Sequence, residues 1–242
     1  MVSAMPHSPA LDSFPPGGTA LVVGDRGGIG AALADALRRS GRFAVVAGAH
    51  RGDAFGFDLE DEASIARLAT HVRAQPPLRL VLVCTGLLHG QGLQPERALH
   101  QLDRGVLARA FAINATGPAL VMKHLLPLLA RDGKAVFAVL SARVGSIGDN
   151  RLGGWYAYRA SKAALNQLVR TAAIELRRSA AQAVCVALHP GTVATQLSAP
   201  FAPDAPRFAP ELAAQQLLQV VERLTPAQSG SFQDWRGEVV PW

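Results

Sequence analysis

Ala20-Leu-Val-Val-Gly24-Asp-Arg-Gly27-Gly28-Ile29-Gly30 is the stretch that decides the fold. An apolar run leads into a glycine-rich turn, and the helix formers Ala31-Ala-Leu-Ala-Asp-Ala-Leu37 follow. The pattern reads as strand, turn, helix. Glycines let the backbone turn sharply and come close to a pyrophosphate, while a helix N-terminus offers unpaired N–H groups and the positive end of its dipole. The spacing is GxxxGxG (Gly24, Gly28, Gly30), not the GxGxxG of other dinucleotide-binding folds. Such a turn also serves as a plain strand-to-helix connection, so by itself it is a weak signal.

Outward from this unit the chain keeps alternating. Strand patterns cover Thr19–Val23, Arg42–Ala47, a short piece near Phe55–Phe57, Leu78–Cys84, Lys134–Ser141, Ala183–Leu188 and Ser231–Gln233. Helical patterns cover Gly28–Ser40, Asp61–Ala74, Asp103–Ala130, Trp155–Ser179 and Pro210–Leu224. Several strands are almost continuously apolar, as strands buried on both faces of a parallel sheet must be. The expectation is α/β: one Rossmann-type, doubly wound parallel sheet in three layers, a single domain over residues 18–242. Residues 1–17 read as a loose, flexible N-terminal tail; Met1–Ala10 lacks the basic start and apolar centre of a secretory signal. Pro200, Pro203, Pro206 and Pro210 break any element around 195–210, which reads as a substrate lid beyond the carboxyl end of a strand.

Composition narrows the function. Lys+Arg total 24 against 18 Asp+Glu, a formal charge of +6, yet no basic run exceeds a pair (Arg38-Arg39, Arg177-Arg178). Nucleic-acid binding calls for clustering or interleaved aromatics, so no nucleic-acid partner is expected. No uninterrupted apolar stretch has membrane-spanning length, and no histidine has metal-ligand spacing. The two cysteines, Cys84 and Cys185, fall in apolar runs and read as buried reduced thiols, consistent with a cytoplasmic protein.

Tyr158-Arg-Ala-Ser-Lys162 supplies the chemistry. Tyrosine occurs twice in the chain and lysine three times. Residues four apart on a helix share a face, so phenol and ammonium stand together. A nearby cation favours phenolate and is expected to lower the tyrosine pKa, making Tyr158 a candidate acid/base and Lys162 its activator. In Phe111-Ala-Ile-Asn114-Ala-Thr-Gly117-Pro118, proline has no N–H to give the carbonyl four residues back, that of Asn114, and a water is the obvious substitute.

The glycine turn near the start and YxxxK near residue 160 together resemble the short-chain dehydrogenase/reductase family, over nearly all of residues 18–242. Gly145–Lys162 and the ending Asp234–Trp242 look like its C-factor-like, carbonyl-reductase-related branch. The resemblance implies an oxidoreductase in which Asn114, a serine, Tyr158 and Lys162 are catalytic, with Asn114 holding a water that connects the lysine to solvent. It assigns to the cofactor Gly24, Gly28, Ile29 and Gly30 in the turn, Tyr158 and Lys162, the pair Asp58-Leu59, and Gly86 in Val83-Cys-Thr-Gly86, where the family has Asn-Asn-Ala-Gly. Pro190, Gly191, Val193 and Thr195 match its Pro-Gly turn on the nicotinamide side. His89 and Trp155 are candidate borders of the substrate pocket. The family serine belongs at Ala142; Ser141, at the end of the apolar run, is expected to replace it, in preference to Ser146. NAD-preferring relatives place an acid at the end of the second strand. Here Gly48-Ala-His-Arg51 follows, so NADP(H) is expected over NAD(H), with Arg51, assisted by Arg26, on the 2′-phosphate. A small carbonyl or alcohol is the implied substrate, and a homodimer or homotetramer the implied assembly. The alternative is a cofactor-binding signalling or regulatory protein with weak or absent catalysis.

Overall fold

In the computed structural model, which describes residues 10–90, 93–201 and 207–242, strands and helices alternate. They are β1 (Thr19–Val23), α1 (Gly28–Ser40), β2 (Val45–Ala49), α2 (Glu62–Arg73), β3 (Leu78–Val83), α3 (Arg104–Phe111), α4 (Gly117–Leu125), β4 (Ala135–Leu140), α5 (Tyr156–Ser179), β5 (Ala183–His189), α6 (Pro210–Arg223) and β6 (Phe232–Asp234). The strands form one parallel sheet in the order β2-β1-β3-β4-β5-β6. The chain steps from β1 out to β2 and then returns across β1 to β3, so the strand order reverses between β1 and β3. Beyond the carboxyl ends of those two strands the loops diverge and leave a crevice, which is where such sheets bind ligands.

Apolar strands dictate the layers. On one face Leu33 and Leu37 of α1 and Leu217 and Leu218 of α6 pack with Val22, Leu82, Val136 and Val186. On the other, Ile65, Leu68, Val121, Leu125, Leu165 and Val169 of α2, α4 and α5 cover Val81, Phe137 and Cys185. Each such side chain withdrawn from water contributes about 1.5–3 kcal/mol, which fixes both helix layers to the sheet. Cys84 and Cys185 are free thiols whose burial, aided at Cys84 by Asp25, pushes both up to about 12.

Four expectations change. Packing begins before residue 18: Leu11 and Phe14 are fully buried in the α1–α6 core, and the Phe14 ring meets Phe43 at 5.5 Å; residues 1–9 lie outside the described residues. The second strand runs over Val45–Ala49, because Arg42 turns its guanidinium onto the Phe14 and Asp12 carbonyls before the parallel register with β1 begins. Phe55–Phe57 is no strand: the Asp53 carboxylate takes the N–H groups of Phe55 (2.9 Å) and Phe57 (3.0 Å) that a ladder would need. The helix expected over Asp103–Ala130 is divided by a π-helical turn at Ala112–Thr116 and ends in a 3₁₀ turn at Leu126–Leu128. By length and composition Arg104–Leu128 would suffice to cross a membrane, but here it packs against α2 and α5.

Candidate active site

Backbone builds the first half of the site. Gly24 has φ +87°, and its N–H donates to the Ala49 carbonyl (2.7 Å), which turns the chain off β1. A Cβ on Gly30 would run into the Gly24 carbonyl, so only glycine lets α1 start this close to the strand. No side chain caps α1, which leaves its first N–H groups for a ligand. Beside the turn lies a cavity of about 480 Å³, and Gly24, Arg26, Arg51, Asp58, Leu59 and Gly86 all line it. Thr85 Oγ1, in a residue lining the same cavity, is buried with no partner among the described residues. An open helix N-terminus, a glycine cradle and an orphaned hydroxyl fit a dinucleotide. Ile29 does not line the cavity; it packs against the α1–α6 core. Arg51 is largely exposed and lies 3.5 Å from Asp58 and 3.8 Å from Glu60.

Beyond β5, Pro190 and Gly191 lead into Val193, which is buried and bridged to Phe208, and into Thr195, whose Cγ2 would sit 2.8 Å from a Cβ on Gly28. The lid base therefore rests on the glycine turn. Of the lid expected around 195–210, residues 202–206 lie outside the described residues. His189, at the end of β5, is pushed down to about 4 by burial, and so stays neutral near pH 7.

Side chains build the second half. Tyr158 and Lys162 occupy consecutive turns of α5, both buried, with Nζ 5.9 Å from the phenol ring centre. The ammonium donates to the Leu140 carbonyl (2.9 Å). A Cβ on Gly86 would lie 3.8 Å from both Lys162 Nζ and Asn114 Oδ1, so the cavity wall, the π turn and α5 meet here. Burial pushes Lys162 down to about 8 and pushes Tyr158 up. The expected lowering of the Tyr158 pKa is thus reversed: removal from water outweighs a lysine bonded elsewhere, and the phenol is held protonated.

Asn114 is fully buried in the π turn. Its side chain takes the Leu87 N–H and donates to the Leu87 carbonyl (2.8 Å each) and to Ser161 Oγ (3.1 Å), tying the loop after β3 to α5. Pro118, just inside α4, accommodates to the wider turn.

Ser141 takes a different place from the expected one. Its Oγ donates to Asn166 Oδ1 (2.7 Å), one turn past Lys162 on α5. Its N–H continues the ladder to Leu188 (2.8 Å), and Ala142 stays extended (φ −140°, ψ 142°). No bulge turns Ser141 around, and alternation keeps its hydroxyl on the α5 side. Ser146 is buried in the following loop, where its Oγ accepts the Asp149 N–H (3.1 Å).

An aromatic wall flanks Tyr158. The Trp155 ring lies 6.3 Å from it and 5.2 Å from Phe201, which in turn meets His89 at 5.3 Å. Trp155 has φ +51°, a strained conformation for a bulky residue, and its N–H is held by the Glu96 carbonyl (2.5 Å). The buried Glu96 carboxylate also takes the Ala157 N–H (3.2 Å) at the positive end of α5. Of the two candidate pocket borders, His89 lines the cavity, while Trp155 packs between Tyr158 and Phe201 without lining it. Glu96 and Phe201 were not legible in the sequence: each comes from a loop with no periodicity, and only the prolines around Phe201 hinted at a role.

Residues 23–229 match a family model described as enoyl-(acyl carrier protein) reductase. The C-signal of Myxococcus xanthus is 41% identical over 66% of this chain and 96% of that protein. The 1-hydroxy-2-glutathionyl-2-methyl-3-butene dehydrogenase of Rhodococcus sp. (strain AD45) is 32% identical over 93% of this chain and 99% of its own. In structure, the carbonyl reductase Sniffer of D. melanogaster is similar with a TM-score of 0.79, at 23% identity, over 93% of this chain and 99% of that one. The NADPH-bound carbonyl reductase from chicken fatty liver gives 0.77 at 22% identity, over 97% and 98%. The family match spans far more than half of the sequence, and the chain belongs to the short-chain dehydrogenase/reductase family of oxidoreductases.

Proposed function

We propose that this protein is an NADP(H)-dependent oxidoreductase acting on a small carbonyl compound or the corresponding alcohol. The observation that carries the reading is the buried Tyr158–Lys162 pair, which meets the wall of the cavity beside the glycine turn at Gly86. When bound, the cofactor supplies the hydride to the carbonyl carbon or takes it from the alcohol. The chain does the rest. The N–H groups at the start of α1 would hold the pyrophosphate. Asp58 and Leu59 would contact the adenine, and Arg51 with Arg26 would pair with the 2′-phosphate. The turn from Pro190 and Gly191 through Val193 to Thr195 would hold the nicotinamide side, and Lys162 would bond the nearby ribose. Tyr158, kept protonated by burial, gives its proton to the carbonyl oxygen and recovers it in the reverse direction. After reduction Lys162 passes a proton to the Tyr158 phenolate, and a water held at the Asn114 carbonyl, which has no proline N–H to pair with, restores it to Lys162. Trp155 and Phe201 favour a substrate with an apolar body. The family resemblance supports self-association of a cytoplasmic protein as a homodimer or homotetramer.

One observation favours a second reading, a cofactor-binding regulatory protein with little catalysis: Ala142 stands where the family has its serine, and Ser141 is bonded to Asn166. Both are tested by NADPH oxidation across a panel of aldehydes and ketones, beside NADPH binding followed by fluorescence. Turnover should occur, and Tyr158→Phe should abolish it with binding nearly unchanged. Near-normal rates in the variant would remove Tyr158 from the mechanism, and tight binding without turnover would favour the second reading.

A further inference from the structure

The acid that the second strand lacks in sequence reaches its end in space. Parallel pairing sets Val23 beside Ala49, so the segments leaving β1 and β2 run side by side. Gly48 leaves room for the glycine turn to fold across β2; a Cβ there would collide with the Asp25 carboxylate. Asp25 Oδ1 consequently lies 2.8 Å from His50 Nδ1, with both side chains mostly withdrawn from solvent. His50 lines the cavity beside Arg26 and Arg51.

Asp25 defines what His50 can offer. A carboxylate on Nδ1 makes that nitrogen the N–H donor, so the opposite nitrogen, Nε2, is an acceptor in the neutral ring and a donor in the imidazolium. We propose that His50 Nε2 reads the 2′ position of the adenosine ribose, with Asp25 as its positioning group. The neutral ring accepts from a 2′-hydroxyl; the imidazolium donates to a 2′-phosphate. This rests on the dinucleotide-binding reading above and adds a residue to it: NADPH draws His50 toward its protonated form, and NADH does not.

The other charges around His50 are Arg26 from the glycine turn, Arg51 next along the chain, Arg109 of α3, and the carboxylates Asp53, Asp58 and Glu60. Asp53 Oδ2 takes the His50 backbone N–H (3.1 Å). Glu60 pairs with Arg109 at 2.5 Å and lies near Arg51. By ordinary side-chain chemistry, a change in preference between about pH 6 and about pH 8.5 belongs to a histidine or to the phosphate itself.

The test is calorimetric binding of NADPH and NADH to the full chain at several pH values, in buffers of differing ionisation enthalpy so that proton uptake is read directly. In the wild type the NADPH:NADH affinity ratio should rise about tenfold from about pH 8.5 to about pH 6, beyond the change seen in His50→Gln. The phosphate titrates alike in both proteins, so their difference isolates the imidazole. Asp25→Asn, close to isosteric, should weaken NADPH more than NADH at about pH 6, since it removes the anion that favours the imidazolium. If both dinucleotides bind and His50→Gln keeps the wild-type pH dependence and proton uptake, the role of His50 is overturned while the cofactor reading stands. If neither dinucleotide binds, both fall.

Discussion

The two ends of the cleft are built from different materials. At the β1–β2 end, the turn from Gly24 to Gly30 places backbone N–H groups and bare Cα atoms where side chains would collide. At the β4–α5 end, the groups brought together are side chains from α5, the π turn and loops far apart in sequence: Tyr158, Lys162, Asn114, Trp155 and Phe201. A backbone site demands glycine at fixed spacing and tolerates little else. A side-chain site demands only that several segments return to one place, and it can lose a member, as Ala142 illustrates, without disturbing the fold.

The largest effect should come from the backbone end. Gly30→Ala forces a methyl against the Gly24 carbonyl and should cut NADPH affinity by about a hundredfold or more, on the order of 3 kcal/mol, measured by calorimetry on a variant whose far-UV spectrum remains native. Unchanged affinity would mean that the turn does not hold the dinucleotide.

At the other end the sharpest change is an addition. Ala142→Ser restores a hydroxyl at the family position and should raise kcat/KM by about tenfold to a hundredfold if a donor to the developing oxyanion is missing. Ser141→Ala, which removes a bond to Asn166, should lower kcat less than tenfold and act chiefly on thermal stability, by roughly 1 kcal/mol. A hundredfold loss in Ser141→Ala would show that its hydroxyl swings to the substrate.

Phe201→Ala opens the aromatic wall beside Trp155 and should raise KM for an apolar substrate about tenfold, with kcat little changed, from the loss of roughly 1–2 kcal/mol of contact. A fall in kcat at constant KM would instead make Phe201 part of the closure that assembles the site.

The smallest effect is on stability. Burial holds Lys162 down to about 8, against 10.5 for an ordinary lysine. Between those values the unfolded chain keeps a proton that the folded chain has released, so the cost of burying the ammonium is complete below about pH 8 and fades as pH rises to about 10.5. Lys162→Met should therefore be more stable than wild type by on the order of 1–3 kcal/mol near pH 7, though inactive, with the gap closing in alkaline buffer. Urea denaturation at several pH values decides it; a constant gap would leave burial of charge without a role.

Much of the fold was legible in the sequence because its signals are local. The apolar run, glycine turn and helix from Thr19 to Ser40 stand as expected, as do the parallel sheet and most element bounds. Errors fell where a distant partner decides, as with Arg42 held by Phe14 and with Leu11 and Phe14 filling the core, or where a side chain takes the backbone bonds of its own turn, as Asp53 does. At the site, YxxxK spacing set Tyr158 and Lys162 together on α5, but it carried no information on burial, which reverses the expected direction of the Tyr158 pKa. Nor could spacing show that a carboxylate in the glycine turn would lie at the end of β2, although Gly48 was the trace of it.

The most direct test of hydride transfer through this site is to give the wild type NADPH carrying deuterium on the transferable carbon, with the carbonyl substrate it turns over best, and to follow the label by mass spectrometry. Deuterium should appear on the carbinol carbon of the product, at least about a thousandfold more slowly with Tyr158→Phe, while both proteins bind NADPH alike. Saturated NADPH with no label in any product, or equal label transfer by Tyr158→Phe, would contradict it.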